Sequence, residues 1–162
     1  MIKRILGMLF LGLVVMFGCS PGPVREQMDA SLPETNAAPI DLNAALTQAK
    51  TEHKLVFMDF TGSDWCPPCM ELHKAIFSQP EFQAYAQTNL VLLVVDFPSK
   101  FHLPPAASAT NDFLAGKFGV EGFPTLVALN GDGKEIWRHL GGIDGGPREL
   151  IANVQAAQSK AK

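Results

Sequence analysis

The sequence predicts an α/β fold in which a mixed central β-sheet carries helices on both faces. Three observations predict it. Two apolar runs of strand length, residues 55–60 and 90–97, are separated by helix-patterned segments, the order of a parallel β-α-β unit. Downstream, "TLVALN", a turn at "NGDG" and "KEIWRHL" form a hairpin by the Asp-Gly rule and add antiparallel strands. The 162 residues are 47% hydrophobic and 18% charged, which suits one domain with a sizeable core.

The first helix lies in "DLNAALTQAKTEHK", where Leu42, Ala45, Leu46 and Ala49 recur at helical spacing behind Asp41, a plausible N-cap. "LVFMDF" follows as a short apolar strand. A helical pattern runs over residues 66–77, and "SQPEFQAYAQ" restarts a helix at Pro80, a residue suited to a first turn. "LVLLVVDF" is unbroken in its hydrophobicity, as expected of a strand buried on both faces. "PSKFHLPPAAS" reads as a loop and residues 110–118 as a helix. After the hairpin, "GGIDGG" is a loop without dinucleotide-fingerprint spacing, and Pro147 opens a closing helix to about Ala157. The order is α-β-α-α-β-α-β-β-α, with no internal repeat.

Residues 1–18 stand apart from this fold. Lys3 and Arg4 precede an uncharged apolar stretch, residues 5–17, and then Gly18-Cys19. That layout is a secretory signal whose apolar core is short for a membrane span. It resembles a bacterial lipoprotein signal, in which cleavage leaves Cys19 at the new N-terminus bearing lipid. An uncleaved anchor and simple secretion are the alternatives. All three place the domain outside the cytoplasm, in the periplasm, on the outer membrane in a Gram-negative cell if lipidated. Residues 19–39, rich in proline and small residues, read as a tether reaching up to ~60 Å at roughly 3 Å per residue. Residues 40–158 form the domain and 159–162 a tail. The net charge of −3, with no basic cluster, argues against a nucleic-acid partner.

Three cysteines are present. If Cys19 takes lipid, the only remaining pair is Cys66 and Cys69, in "TGSDWCPPCMEL". A local staple, a metal clip and a thiol–disulfide couple all fit a CxxC pair. The metal reading would use Cys66, Cys69 and His73, as in a copper-binding accessory protein on the same fold, but no fourth ligand is evident. Haem attachment fails because Met70 follows the second cysteine.

The couple is the reading the helix favours. Cys69 shares a face with Leu72 and Ile76, turned toward the sheet, whereas Cys66 opens the first turn near free backbone donors and the positive end of the helix dipole. Cys66 is therefore expected to be the open nucleophile and Cys69 the sheltered resolving thiol. Pro67 and Pro68 remove two N–H donors from that turn, which predicts a less depressed thiol pKa and a bias toward reduction rather than oxidation.

"MDFTGSDWCPPC" resembles the strand-then-WCxxC motif of the thioredoxin family, and "VEGFPTLVAL" resembles its Pro-Thr segment at the start of the next strand. The run "TGSDWCPPC…FSQPEF…VDFP…KFGVEGFPT" is similar to exported bacterial thioredoxin-like proteins, and the resemblance covers residues 40–157. It implies a thioredoxin-like three-layer α/β/α sandwich and a thiol–disulfide oxidoreductase. It further implies a cis-proline at Pro124 facing the disulfide, and a client strand pairing with the backbone of Phe123. Trp65, Phe123, Pro124 and Thr125 would bind substrate, while Asp59 would be the buried acid that takes a proton from Cys69. No organic cofactor is implied. The partners would be protein thiols and disulfides, with electrons from a membrane-linked donor. A thioredoxin fold kept only as an interaction scaffold is the third reading.

Overall fold

A computed structural model describes residues 37–161 of the chain. The signal segment, Cys19 and most of the tether lie outside the described residues.

Helix α1 (Leu42–Glu52) starts at Asp41, whose carboxylate accepts the N–H of Ala44 at 2.9 Å. It stops where His53 takes a left-handed conformation, φ 57°. Strand β1 (Leu55–Thr61) follows, then α2 (Pro67–Leu72), a π-helical turn (His73–Phe77), α3 (Pro80–Asn89) and β2 (Leu90–Asp96). The chain closes with α4 (Pro105–Lys117), β3 (Thr125–Leu129), β4 (Glu135–Leu140) and α5 (Gly146–Lys160).

The sheet order is β2-β1-β3-β4. β1 and β2 are parallel, Leu55 opposite Leu90 and Thr61 opposite Asp96, while β3 runs antiparallel to both β1 and β4. The expected element order, the parallel unit and the hairpin are all present. Side chains of β1 alternate between two cores. Leu55 and Phe57 join Leu72, Ile76, Phe82, Ala86, Leu150 and Val154 beneath α2, α3 and α5. Val56, Met58 and Phe60 join Leu42, Ala45, Ala49 and Leu114 beneath α1 and α4. Alternation therefore puts Asp59 on the side of α2.

Phe57 anchors the first core. Phe77 and Phe82 meet it edge-on, and Trp137 stacks on it with centroids 6.1 Å apart. Burying a phenyl ring to this degree stabilises the fold by roughly 1.5–3 kcal/mol.

Three expectations are corrected. β2 is not covered on both faces: Leu92 is 45% exposed and Val94 59%, because β2 is the sheet's edge among the described residues and the α3 side leaves an open channel there. α4 begins at Pro105, five residues before the expected start, since a proline at the first helical position sacrifices no backbone hydrogen bond. The helix after the cysteines is not regular to Phe77. From His73 it widens into a π turn, closed by Ser78 N–H donating to the His73 carbonyl at 2.8 Å.

Candidate active site

The site forms where β1 ends. Residues 62–66 fold back in a tight turn, with Cys66 N–H donating to the Gly62 carbonyl at 3.0 Å. The turn needs glycine at 62: a Cβ there would stand 2.5 Å from the Trp65 ring. Two acids fasten this turn to the segment after β2. Asp96 accepts Ser63 N–H at 2.9 Å and the Ser63 hydroxyl at 2.6 Å. Asp64 accepts Ser99 N–H at 2.9 Å and Lys100 N–H at 2.6 Å. Slight burial pushes the Asp64 carboxyl upward, but these backbone donors outweigh it and leave it below its ordinary value.

Trp65 completes the tie by donating its indole N–H to the Phe97 carbonyl at 2.6 Å. Its ring meets Phe123 edge-on at 5.9 Å, and Phe123 packs on Phe97 at 5.1 Å. Trp65 is still 45% exposed. A wet, aromatic ledge results beside the cysteines.

Cys66 and Cys69 are joined in a disulfide with Cα atoms 5.3 Å apart. Residue 66 is the N-cap of α2, and its Sγ accepts the N–H of Cys69 at 3.3 Å. With Pro67 and Pro68 lacking N–H groups, Cys69 supplies the first available donor of the turn. The two half-cystines are equally buried, 3% exposed each, so the expected openness of Cys66 is not found in this oxidised state. Their difference is one of hydrogen bonding and position: Cys66 caps the helix, and Cys69 lines a cavity from which Cys66 is absent.

That cavity, about 460 Å³, runs between β2 and the α2–α3 stretch. Phe57, Phe77, Phe82, Leu92 and Val94 give it apolar walls, and Asp59, Cys69, Met70 and His73 give it chemistry. Asp59 is the anomaly. Its Oδ1 is buried and has no hydrogen-bond partner. Burial first, and then the charge of Asp96, push its carboxyl up to about 7. An acid so placed exchanges its proton near neutrality.

Pro124 lies at the head of β3, where Thr125 pairs with Phe60 of β1. The Phe123–Pro124 peptide bond is cis, the isomer the resemblance implies. Thr125 is buried and donates its hydroxyl to the Gly122 carbonyl at 2.7 Å, holding this corner closed. Gly141 N–H occupies the Pro124 carbonyl, while the backbone of Phe123 makes no hydrogen bond among the described residues. Trp65 and Phe123 are thus brought together, and Asp59, Cys69 and His73 share one cavity. Among the described residues, no three His, Cys, Asp or Glu side chains are grouped to hold a metal ion.

Sequence reasoning missed Ser63, Asp64, Asp96 and Met70. For Asp96 a signal existed: an acid ending an apolar strand, next to the strand that leads into the CxxC turn, sits at the carboxyl edge of a parallel pair, where sites form.

The thioredoxin-like domain family matches residues 42–157. The chain is 36% identical to the disulfide bond reductase DsbH of Chlamydia pneumoniae over 113 residues, covering 70% of this chain and 68% of that protein. It is 38% identical over 115 residues to the thiol:disulfide interchange protein DsbD of Cronobacter sakazakii, covering 70% of this chain but only 18% of that much longer protein. A solved structure of a DsbH oxidoreductase superposes with a TM-score of 0.68 at 30% identity, covering 85% of this chain and 94% of that one. The family match, the identity to these relatives and the shared fold establish that the chain belongs to the thioredoxin-like family as a thiol–disulfide oxidoreductase.

Proposed function

We propose that the protein reduces or isomerises disulfides of exported proteins, with Cys66 as nucleophile and Cys69 as resolving thiol, from a tether lipidated at Cys19. In the reduced state the Cys66 thiolate attacks one sulfur of a client disulfide. The client S–S bond breaks, one client sulfur departs as a thiolate and takes up a proton, and the other remains bonded to Cys66. Cys69 then gives its proton to the Asp59 carboxylate and attacks the Cys66 sulfur. The Cys66–Cys69 bond closes and the second client sulfur leaves. Two electrons have passed to the client, and the protein is left in the oxidised form. A dithiol donor at the membrane restores it.

The observation carrying this reading is the pairing of a helix-capping disulfide with a carboxyl whose Oδ1 is buried and unpartnered, in the cavity that Cys69 lines. Trp65, Phe123, Pro124 and Thr125 form the client ledge, where the unpaired Phe123 backbone can hydrogen-bond an extended client segment. A reductive direction is supported by the donors missing at Pro67 and Pro68 and by the name of the Chlamydia pneumoniae relative, a disulfide bond reductase. Cys69→Ser should freeze clients on Cys66 as mixed disulfides that a reducing gel dissolves, and Cys66→Ser should capture none. Equal trapping by both variants, or by neither, would overturn the assignment.

A further inference from the structure

The proton that Asp59 accepts must leave again before the next turnover, and the cavity that Asp59 lines is open to solvent on its β2–α3 side. Of the residues lining the cavity, Asp59, Cys69 and His73 are the ones that ionise. Asp59 is half-buried, with its Oδ1 shut off from solvent, whereas His73 is exposed, so the cavity connects an inner carboxyl oxygen to an imidazole at the surface. The π turn begins at this histidine. Insertions of this kind inside helices recur at functional positions because they redirect the residues they contain.

His73 is also held in place. Its carbonyl accepts both the N–H and the hydroxyl of Ser78, at 2.8 and 2.9 Å, and Ser78 Oγ lies 3.2 Å from its Nδ1. The Phe77 ring meets the imidazole edge-on at 6.5 Å. Nδ1 is therefore engaged with Ser78, leaving Nε2 as the nitrogen able to exchange a proton with water in the cavity. A space of about 460 Å³ is ample for water, whose share of liquid volume is roughly 30 Å³.

We propose that His73 is a proton-relay residue, passing the proton between Asp59 and solvent during closure and opening of the Cys66–Cys69 disulfide. The inference rests on the thiol-exchange reading and adds a residue to it. When Cys69 attacks, its proton goes to Asp59, then through cavity water to His73 and out, where the departing client thiolate takes up an equivalent. Imidazole suits the last step because it gains and loses protons close to physiological pH. The charged and titratable groups on the packed elements are few. β1 supplies Asp59, and β2 supplies Asp96, which acts on Asp59. Glu71 and Lys74 flank His73 on its own helix, α3 and α5 contribute the Glu81–Arg148 ion pair at 3.2 Å, α3 adds the Tyr85 hydroxyl, and α5 adds Glu149.

The test is single-turnover reduction of insulin by the pre-reduced full-length protein, followed from pH 5 to 9. His73→Gln should slow disulfide closure by about a hundredfold near neutrality, at the low end of general acid–base contributions, and flatten its pH dependence. Alkylation of Cys66, which needs no relay, should be unchanged. His73→Ala should recover speed when free imidazole is added, and Asp59→Asn should show no such rescue. If wild type and His73→Gln close with superimposable pH profiles, or imidazole rescues nothing, the relay is wrong while thiol exchange stands. If wild type itself reduces no insulin under any condition, the underlying function is what fails.

Discussion

The two sulfurs of one disulfide border opposite kinds of surroundings. On the Cys66 side, Ser63, Asp64, Trp65 and the segment after β2 are laced by hydrogen bonds at 2.6–2.9 Å. On the Cys69 side lies a cavity with apolar walls and a carboxyl oxygen bonded to nothing. The satisfied side can fix the position of an attacking sulfur. The unsatisfied side can move a proton, which a fully bonded carboxylate does poorly because each donor lowers its affinity for one. Equal burial of the two half-cystines shows that solvent exposure is not what separates them.

The largest effect should come from removing the unsatisfied group. Burial and Asp96 raise the Asp59 carboxyl from 3.8 to about 7 in the folded protein. The folded state therefore holds this proton more tightly than the unfolded chain. Its stabilising contribution is complete below about pH 4 and is lost as pH rises to 7, after which the deficit is constant. The deficit is on the order of 4 kcal/mol. Asp59→Asn should abolish this slope, leaving the oxidised protein more stable than wild type at pH 8 by up to that amount in urea denaturation. The same variant should exchange disulfides slowly. A variant neither stabilised nor slowed would remove the contrast between the two sides.

Asp96 joins the sides, since it binds Ser63 and also raises Asp59. Asp96→Asn keeps one acceptor but loses the charge, weakening the turn by roughly 1–2 kcal/mol. With the negative charge gone, the Asp59 carboxyl falls, and the pH range over which wild-type stability declines should end lower. Urea midpoints across pH 4–8 read both changes. Loss of stability without that shift would separate the two sides electrostatically.

How much of this was legible in the sequence follows the range of the interactions. Element order, the parallel pair and the hairpin rest on local periodicity and turn chemistry, which single residues such as Pro80 and the Asp132-Gly133 pair carry openly. The CxxC pair, Asp59 and the Phe123-Pro124 corner were legible as motifs. The exposure of Leu92 and Val94 was not, because an apolar run reads alike on a central strand and on an edge strand. Nor was the burial of Cys66, because a position at the opening of a helix does not fix what packs over it. The π turn at His73 left no mark at all: "MELHKAIF" has ordinary helical spacing, and the widening is set by Ser78 and Gln79 closing onto His73 and Ile76. Asp64 was passed over because its partners are backbone N–H groups 35 and 36 residues away, and these have no sequence signature.

Trp65 sharpens the comparison from the satisfied side. Trp65→Phe preserves the aromatic ledge against Phe123 but drops the indole bond to Phe97. The loss should be about 1 kcal/mol, with client reduction slowed several-fold through a higher KM rather than a lower kcat. The pH dependence governed by Asp59 should be untouched. A changed pH profile in Trp65→Phe would show that the ledge and the cavity are not independent.

The smallest effect belongs to Asp64. Its carboxylate binds two backbone donors yet stays within reach of solvent, where water can replace it, so charge-assisted bonds here are worth little. Asp64→Asn retains an oxygen for one of them, and the expected loss is a few tenths of a kcal/mol, diminishing in high salt. Hydrogen exchange is the sensitive measure. The amides of Ser99 and Lys100 should exchange faster in the variant, while Cys69 N–H, bonded to the Cys66 sulfur on the other flank, keeps its wild-type rate. Were Cys69 N–H to loosen as well, the lacing around residues 62–66 would extend into α2, and the two flanks of the disulfide would move as one body.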